Sequence, residues 1–468
     1  MNGIGKIVLI SSLIGIVSYF GLKCGSCIFR NSKAPEFKED VWWGPGEPAK
    51  LSESISPFRI EVPDKIIQDL NQRLDRYLSD SPTPPLENQG FQYGFNTNYL
   101  KEVIKYWRNK YQWKKRQEFI QQYPHFKTFV NGLDIHFLVA KPQATAGKKV
   151  LPLLMLHGWP SSFREFLDII PKLTTPSPNT DFVFHVVVPS LPGYGFSAGS
   201  SKPGMGPAEI AVVMKNLMIR LGFNKFYVQG TDWGSIIASN MGILFPDSVL
   251  GIHSNMCYTN SPMSYIKWFL GSFWPSLIAP EKYHDKLYPM KNVFFHILKE
   301  SGYMHLQATK PDTIGTALND TPVGLAAYIL EKFSTWTNMT WRELPDGGLT
   351  KKFTLDTLLD NVMIYWISGC ITTSQRLYYE AFTSDNQKME RVPVIVPTIC
   401  ARFPNELLWQ STSQLQDKYT NLLQVNDFDV GGHFPALEEP TILSKDIFSA
   451  VKMFEDYHAK RNQSGIRT

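Results

Sequence analysis

Lys225-Phe226-Tyr227-Val228-Gln229-Gly230-Thr231-Asp232-Trp233-Gly234-Ser235-Ile236-Ile237-Ala238-Ser239-Asn240-Met241 is the stretch whose reading decides the fold. The apolar run Lys225 to Gln229 reads as a short buried strand, and Ser235 to Met241 reads as a helix. Between them, Gly230 and Gly234 bracket Asp232. Small residues on both sides of a central nucleophile permit a very tight strand-to-helix turn, usually written G-x-S-x-G. Here the central residue is aspartate. Ser235 lies past the turn, at the helix start, where capping or packing explains it better than catalysis.

Outward from this turn, strands and helices alternate. Phe126 to Val130 and Leu133 to Val139 flank Asn131-Gly132, a hairpin with a type I′ turn signal. Val150 to Leu156 reads as a strand ending in His157-Gly158-Trp159-Pro160, and Phe163 to Leu173 as a helix. Val183 to Val188 is a strand and Ala208 to Leu221 a helix; Val249 to His253 is a further strand. Such alternation argues a parallel, doubly wound sheet. With the tight turn, it predicts the α/β-hydrolase fold, a mostly parallel sheet with helices on both faces. The alternation stops between Cys257 and Gln375, an aromatic-rich segment with a helical pattern that reads as a lid. It resumes with strands at Val394 to Cys400 and Leu422 to Val425 and a helix from Leu443 to His458. The expected divisions are a membrane anchor (1–22), a linker and N-terminal meander (23–125), the first part of the core (126–256), the lid (257–375) and the second part of the core (376–468).

Within the meander, Ile66, Ile67, Leu70, Leu74 and Leu78 mark one face of a helix opened by Pro63-Asp64. A second helix is expected from Tyr99 to Gln122. Its basic residues, Lys101 to Arg116, read as a solvated face, with a brace against anionic lipid as the weaker alternative.

The chain has 468 residues with a net charge of +5, which gives no support to nucleic-acid binding. Ile7 to Leu22 carries no charge and approaches the roughly 20 residues needed to cross a bilayer. It lacks the small-residue cleavage site of a signal peptide and therefore reads as a single-pass anchor. Lys23, Arg30, Lys33 and Lys38 follow it, which places the bulk of the protein on the cytoplasmic side. The sequons at Asn338 and Asn462 would be idle in that orientation. The five cysteines are odd in number and sparse, so no disulfide framework is implied. Cys24 and Cys27 have no second ligand pair nearby, and juxtamembrane palmitoylation suits them better than a metal.

Aspartate at the turn does different chemistry from serine. A carboxylate is already ionised and can displace a leaving group from saturated carbon, forming an alkyl ester on the enzyme. That ester must then be hydrolysed at the carbonyl of Asp232, so a base must activate water. Asp429-Val430-Gly431-Gly432-His433-Phe434 supplies a late histidine on a glycine-rich loop. Glu406, after the preceding strand, is the expected acid partner of His433, ahead of Asp427 or Asp429. Glu438 and Glu439 read as helix-start charges. The expected oxyanion hole is the backbone N–H of Trp233 and that of Trp159, which a cis Trp159–Pro160 bond would help to aim.

The chain resembles microsomal-type epoxide hydrolases, and among these it is most similar to the insect juvenile hormone epoxide hydrolases. The resemblance rests on Trp42-Trp43-Gly44-Pro45-Gly46, His157 to Pro160, Gly230 to Gly234, Glu300-Ser301-Gly302-Tyr303-Met304-His305 and Gly431 to Phe434. It implies Asp232 as nucleophile, His433 as base and Glu406 as acid. It further implies two lid tyrosines that protonate the epoxide oxygen, Tyr303 and either Tyr378 or its neighbour Tyr379, with Tyr378 the choice by position. It implies no cofactor and no metal, a small lipophilic epoxide and water as reactants, no obligate protein partner and an endoplasmic reticulum membrane. The rivals are a haloalkane dehalogenase, which would replace the lid tyrosines with halide-holding donors, and a non-enzymatic hormone carrier, which would lack a member of the triad.

Overall fold

The computed structural model describes residues 33–49, 52–80 and 83–464. Its strands are β1 (Ser56–Phe58), β2 (His125–Val130), β3 (Leu133–Ala140), β4 (Lys149–Leu156), β5 (Phe182–Pro189), β6 (Phe226–Gly230), β7 (Val249–Ser254), β8 (Thr398–Arg402) and β9 (Leu422–Asp427). They form one sheet in the order β1-β2-β3-β5-β4-β6-β7-β8-β9. The first three strands and the β3–β5 pair are antiparallel. Every pair from β5 across to β9 is parallel. A parallel strand covered on both faces reads as a continuous apolar run, and β5 (Phe-Val-Phe-His-Val-Val-Val-Pro) is buried along nearly all its length. The β2–β3 turn has positive φ at both Asn131 (53°) and Gly132 (79°), as a type I′ hairpin requires. Trp43 donates its backbone N–H to the carbonyl of Asn131 there, at 2.9 Å.

The strand order decides where a ligand can sit. From β4 the chain steps outward to β5, then returns to place β6 on the other side of β4. The loops leaving β4 and β6 therefore diverge and open a crevice at the carboxyl ends of the strands. The helix α4 (Pro207–Arg220) precedes β6 and α5 (Trp233–Leu244) follows it.

Before the hairpin lie α1 (Asp64–Ser79), α2 (Thr97–Asn109) and α3 (Trp113–Ile120). The helix expected over Tyr99 to Gln122 is thus two. Lys110 and Tyr111 both donate to the carbonyl of Tyr106, ending α2, and the bend buries Tyr111 and Trp113. The expected helix from Phe163 to Leu173 is likewise a single 3₁₀ turn (Phe163–Phe166) and a short helix (Ile170–Thr174). Pro171 lacks the N–H that would continue one helix through. The strand expected from Val394 begins only at Thr398, because Pro393 and Pro397 interrupt the ladder; Val394 keeps an isolated bridge to Tyr419.

Between β7 and β8 the chain is helical. Its main helices are α6 (Pro262–Gly271), α7 (Met290–Glu300), α8 (Gly302–Thr309), α9 (Pro322–Thr335), α10 (Leu355–Ser368) and α11 (Ile371–Glu380), and a further short helix ends at Met389. The helix α12 (Pro440–Ser464) closes the core.

Two findings correct the sequence reading. The basic run is not wholly solvated: Arg116 pairs with the fully buried Asp360 of α10, which also accepts from Tyr111 (3.0 Å) and from the buried Arg164 (2.9 Å). This hub joins the meander, the lid and the loop after β4. Cys257 and Cys400 form a disulfide, with Cα atoms 5.8 Å apart. Neighbouring parallel strands β7 and β8 bring the two together from 143 residues apart. Among the described residues no helix is long and apolar enough to cross a membrane. The expected anchor and Cys24 and Cys27 lie outside the described residues.

Candidate active site

Asp232 caps β6 with φ 50° and ψ −126°, a conformation few side-chain-bearing residues adopt. The turn is possible because its neighbours have no Cβ. A Cβ on Gly230 would lie 2.4 Å from the carbonyl oxygen of Gly234, and one on Gly234 would lie 2.0 Å from that of Leu156. Gly158 meets Asp232 itself, since its Cβ would come within 2.0 Å of Asp232 Oδ1. Ser235 donates its hydroxyl to the carbonyl of Gly230 at 2.8 Å, a packing role.

The loop after β4 holds Trp159, whose N–H donates to Asp232 Oδ1 at 2.8 Å. The Trp159–Pro160 peptide is cis. His157 is buried and neutral, its pKa pushed down to about 4 by desolvation, and it accepts from the N–H of Leu191 after β5 (3.2 Å). From behind, Asn361 of α10 donates to the Pro160 carbonyl at 2.7 Å and Tyr365 to that of Ser161 at 2.8 Å. The loop is therefore held by the sheet on one side and the lid on the other. The N–H of Trp233 opens α5 directly after Asp232.

His433 follows β9 and is 1% exposed. Its Nε2 lies 3.3 Å from Asp232 Oδ2, and its Nδ1 lies 2.5 Å from Glu406 Oε1. Glu406 follows β8, and the same oxygen accepts from the N–H of Leu407. Burial opposes charge on the imidazole, but the carboxylates of Glu406 and Asp232 outweigh it, so the pKa stands well above 6.5. Asp427 instead pairs with Arg402 at 2.7 Å. No bond ties Asp429 to His433.

Two tyrosines pack close enough to Asp232 to feel its charge. Tyr303, on α8, stacks on Trp159 with centroids 5.5 Å apart and planes 8° apart. Tyr378, on α11, is 3% exposed and stands edge-on to Trp159 (5.9 Å), Trp233 (4.8 Å) and Tyr303 (6.0 Å). Burial first, then the negative charge of Asp232, holds the Tyr303 hydroxyl in its protonated form. Burial, Tyr303 and Asp232 do the same for Tyr378. Tyr379 points the other way: it is 52% exposed and lines a separate surface cavity with Lys202, Lys310 and Arg376.

Several residues here escaped the sequence reading. Trp336 packs its ring edge-on to His433 at 5.1 Å and offers its carbonyl to the His433 N–H at 3.0 Å. Glu438 was expected as a helix-start charge, yet it is buried and accepts from the Phe434 N–H at 2.8 Å. Glu165, beside Ser161, is also buried, and desolvation pushes both carboxyls up to about 8. Burial thus disfavours the charged form of both beside His433. Nothing in their spacing marks them, because burial comes from the short 435–438 helix packing on the 3₁₀ turn. Glu439, by contrast, precedes α12 and pairs with Lys352. Among the described residues no group of His, Cys, Asp and Glu could hold a metal.

A cavity of about 540 Å³ opens between α6 and α7 and reaches Trp336 and Glu406, both in contact with His433. Trp268, Val293 and Leu408 line it further out.

A carboxylate on a strand-to-helix turn, backed by a histidine–glutamate pair, defines an α/β-hydrolase whose site has the chemistry to form an alkyl ester. Residues 55–166 match the family model described as the epoxide hydrolase N terminus, and residues 152–369 the alpha/beta hydrolase fold. The chain is 52% identical to "Juvenile hormone epoxide hydrolase 1" of Ctenocephalides felis, with 92% of each covered, and 46% identical to "Epoxide hydrolase 1" of Sus scrofa, with 96% of this chain and 99% of the relative covered. The crystal structure of juvenile hormone epoxide hydrolase from Bombyx mori superposes with a TM-score of 0.88 at 45% identity, over 90% of this chain and 100% of that one. The chain belongs to the epoxide hydrolase family, whose members add water to an epoxide to give a vicinal diol.

Proposed function

We propose that the protein hydrolyses the epoxide of a juvenile hormone, a lipophilic terpenoid, to its diol through an ester on Asp232. The observation that carries the mechanism is the placing of the two Asp232 oxygens. Oδ1 accepts from Trp159 N–H, while Oδ2 lies 3.3 Å from His433 Nε2. Oδ2 attacks an epoxide carbon, and the C–O bond electrons pass to the ring oxygen. That oxygen takes a proton from Tyr303 or Tyr378, whose hydroxyls burial keeps protonated. Once Asp232 is an ester it carries no charge, so His433 loses one of the two carboxylates that raised its pKa. Neutral His433 then takes a proton from water, which attacks the Asp232 carbonyl carbon. Negative charge gathers on Oδ1, where the N–H groups of Trp159 and Trp233 stabilise it. Collapse expels the ester oxygen of the product, which takes the proton held by His433 to complete the diol, and the proton left on Asp232 returns to the tyrosinate, restoring carboxylate, imidazole and tyrosine. Glu406 orients His433 throughout.

Asp232→Ala should abolish both diol formation and covalent trapping; full turnover would sink the mechanism. His433→Gln should accumulate the ester, seen as a mass increase of one substrate on the intact protein. The juvenile hormone assignment draws support from the relatives' names and from the aromatic lid. Its test is turnover of juvenile hormone against an aryl epoxide such as stilbene oxide, where a strong preference for the aryl compound points to general detoxification.

The setting we propose is the endoplasmic reticulum membrane, with Ile7 to Leu22 as anchor and the catalytic part in the cytosol, no cofactor and no obligate protein partner. Disulfides persist less readily there, and burial of Cys257 (7%) and Cys400 (0%) is what would protect theirs from exchange. A glycan on Asn338 in microsomes would place the catalytic part in the lumen and refute this orientation.

A further inference from the structure

The helix α7 (Met290–Glu300) has no buried residue. Phe294, Phe295 and Leu298 are 60%, 55% and 61% exposed. The helix α6 lines the 540 Å³ cavity through Tyr265 and Trp268, as α7 does through Val293 and Ile297, and α6 and the turn after it expose Phe269, Phe273, Trp274 and Leu277, the last at 73%. Half of the exposed large apolar side chains among the described residues fall between 265 and 306. A concentration of this kind around one opening is an interaction surface, not ordinary scatter.

We propose that this rim of the lid docks into an anionic lipid bilayer, so that the substrate passes from the membrane into the cavity without crossing water. Charge selects the bilayer as occupant. Lys282, Lys286, Lys291 and Lys299 are exposed on α7 and the segment before it, against exposed Glu281 and Asp285; Glu300 is committed to Arg342 at 2.8 Å. An apolar face fringed by lysines suits acyl chains below lipid phosphates. A second copy meeting the same face about a two-fold axis would oppose lysine to lysine. The cavity between the two apolar elements leads to Trp336 and Glu406, beside His433. The proposal rests on the epoxide hydrolase reading only for its choice of substrate.

The test uses the full chain on phosphatidylcholine–phosphatidylserine vesicles containing a phospholipid with a diazirine on its acyl chain. Photolysis should label peptides covering 265–277 and 290–306. Label confined to other peptides, or cross-links joining α7 of two copies, overturns the proposal. The double variant Phe294→Ser, Leu298→Ser changes only exposed side chains. It should lose at least about tenfold in kcat/KM for a long terpenoid epoxide dissolved in the vesicles, a floor for two fewer inserted apolar side chains. It should keep its rate on styrene oxide in solution. Equal loss on both substrates, or no loss on either, refutes membrane delivery. If no epoxide turns over at all, the enzymatic reading fails while the labelling pattern still decides the docking surface.

Discussion

Gly158→Ala tests the site with one methyl group. A Cβ at this position would lie 2.0 Å from Asp232 Oδ1, 2.4 Å from its Cβ and 2.6 Å from its Cγ. Ordinary contact begins near 3.4 Å, so the carboxylate has to retreat by about 1.4 Å. That retreat breaks the 2.8 Å bond from Trp159 N–H, and Oδ1 then leaves the position where oxyanion charge must gather. Losing one such donor costs ~10²–10³ in rate, and a 1 Å misplacement of a reacting group costs ~10². We expect kcat to fall by about 10²–10³, both in ester formation and in its hydrolysis. The methyl should cost about 1–3 kcal/mol of stability, as overpacking does, and leave the fold intact. Gly158 does not use a left-handed φ, so alanine imposes no backbone strain of its own. The assay is single-turnover diol formation per folded molecule, with intact mass to follow the ester and thermal unfolding to count folded protein. A variant that keeps more than about a tenth of the native rate would show that Asp232 need not sit against Gly158 and Trp159, refuting the oxyanion geometry.

Three further outcomes follow from the geometry. Tyr378→Phe should lower kcat by ~10², the low end for one general acid, because Tyr303 remains, while Tyr379→Phe should stay near the native rate; the reverse pattern in steady-state assays would exchange their roles. Asp360→Ala leaves the buried Arg164 with Asp168 as its remaining carboxylate partner and should cost about 1–3 kcal/mol in denaturant unfolding, with a loss below about 0.5 kcal/mol refuting the hub. Because the pKa of His433 in the folded state lies above 6.5, its pairing contributes full stability below that pH and loses it as pH rises through the folded value. Pre-steady-state rates should show ester hydrolysis rising with pH as His433 deprotonates, while ester formation lacks that limb; a hydrolysis rate flat in pH would exclude His433 as base.

What the sequence by itself determined is what local chemistry determines. Gly230 to Gly234 specify the turn because any side chain at its flanks would strike backbone, and Asn131-Gly132 specify the hairpin because both need positive φ. Apolar runs located the parallel strands, whose burial on both faces leaves no alternation to confuse the reading. Where proline or a packing demand competed with periodicity, at Tyr111, Pro171 and Pro397, the expected elements broke or shifted. Only the tertiary structure decided matters that depend on what lies across the chain. It turned Tyr378 inward and Tyr379 outward, a choice set by the packing of α11 on Trp159 and Trp233. It joined Cys257 to Cys400 and Arg116 to Asp360, pairs 143 and 244 residues apart that meet through strand order and helix packing. It buried Glu165 and Glu438 near His433, where desolvation raises both carboxyls. Spacing along the chain carries the geometry of a turn or a strand, whereas burial and partnership belong to the surfaces that close over it.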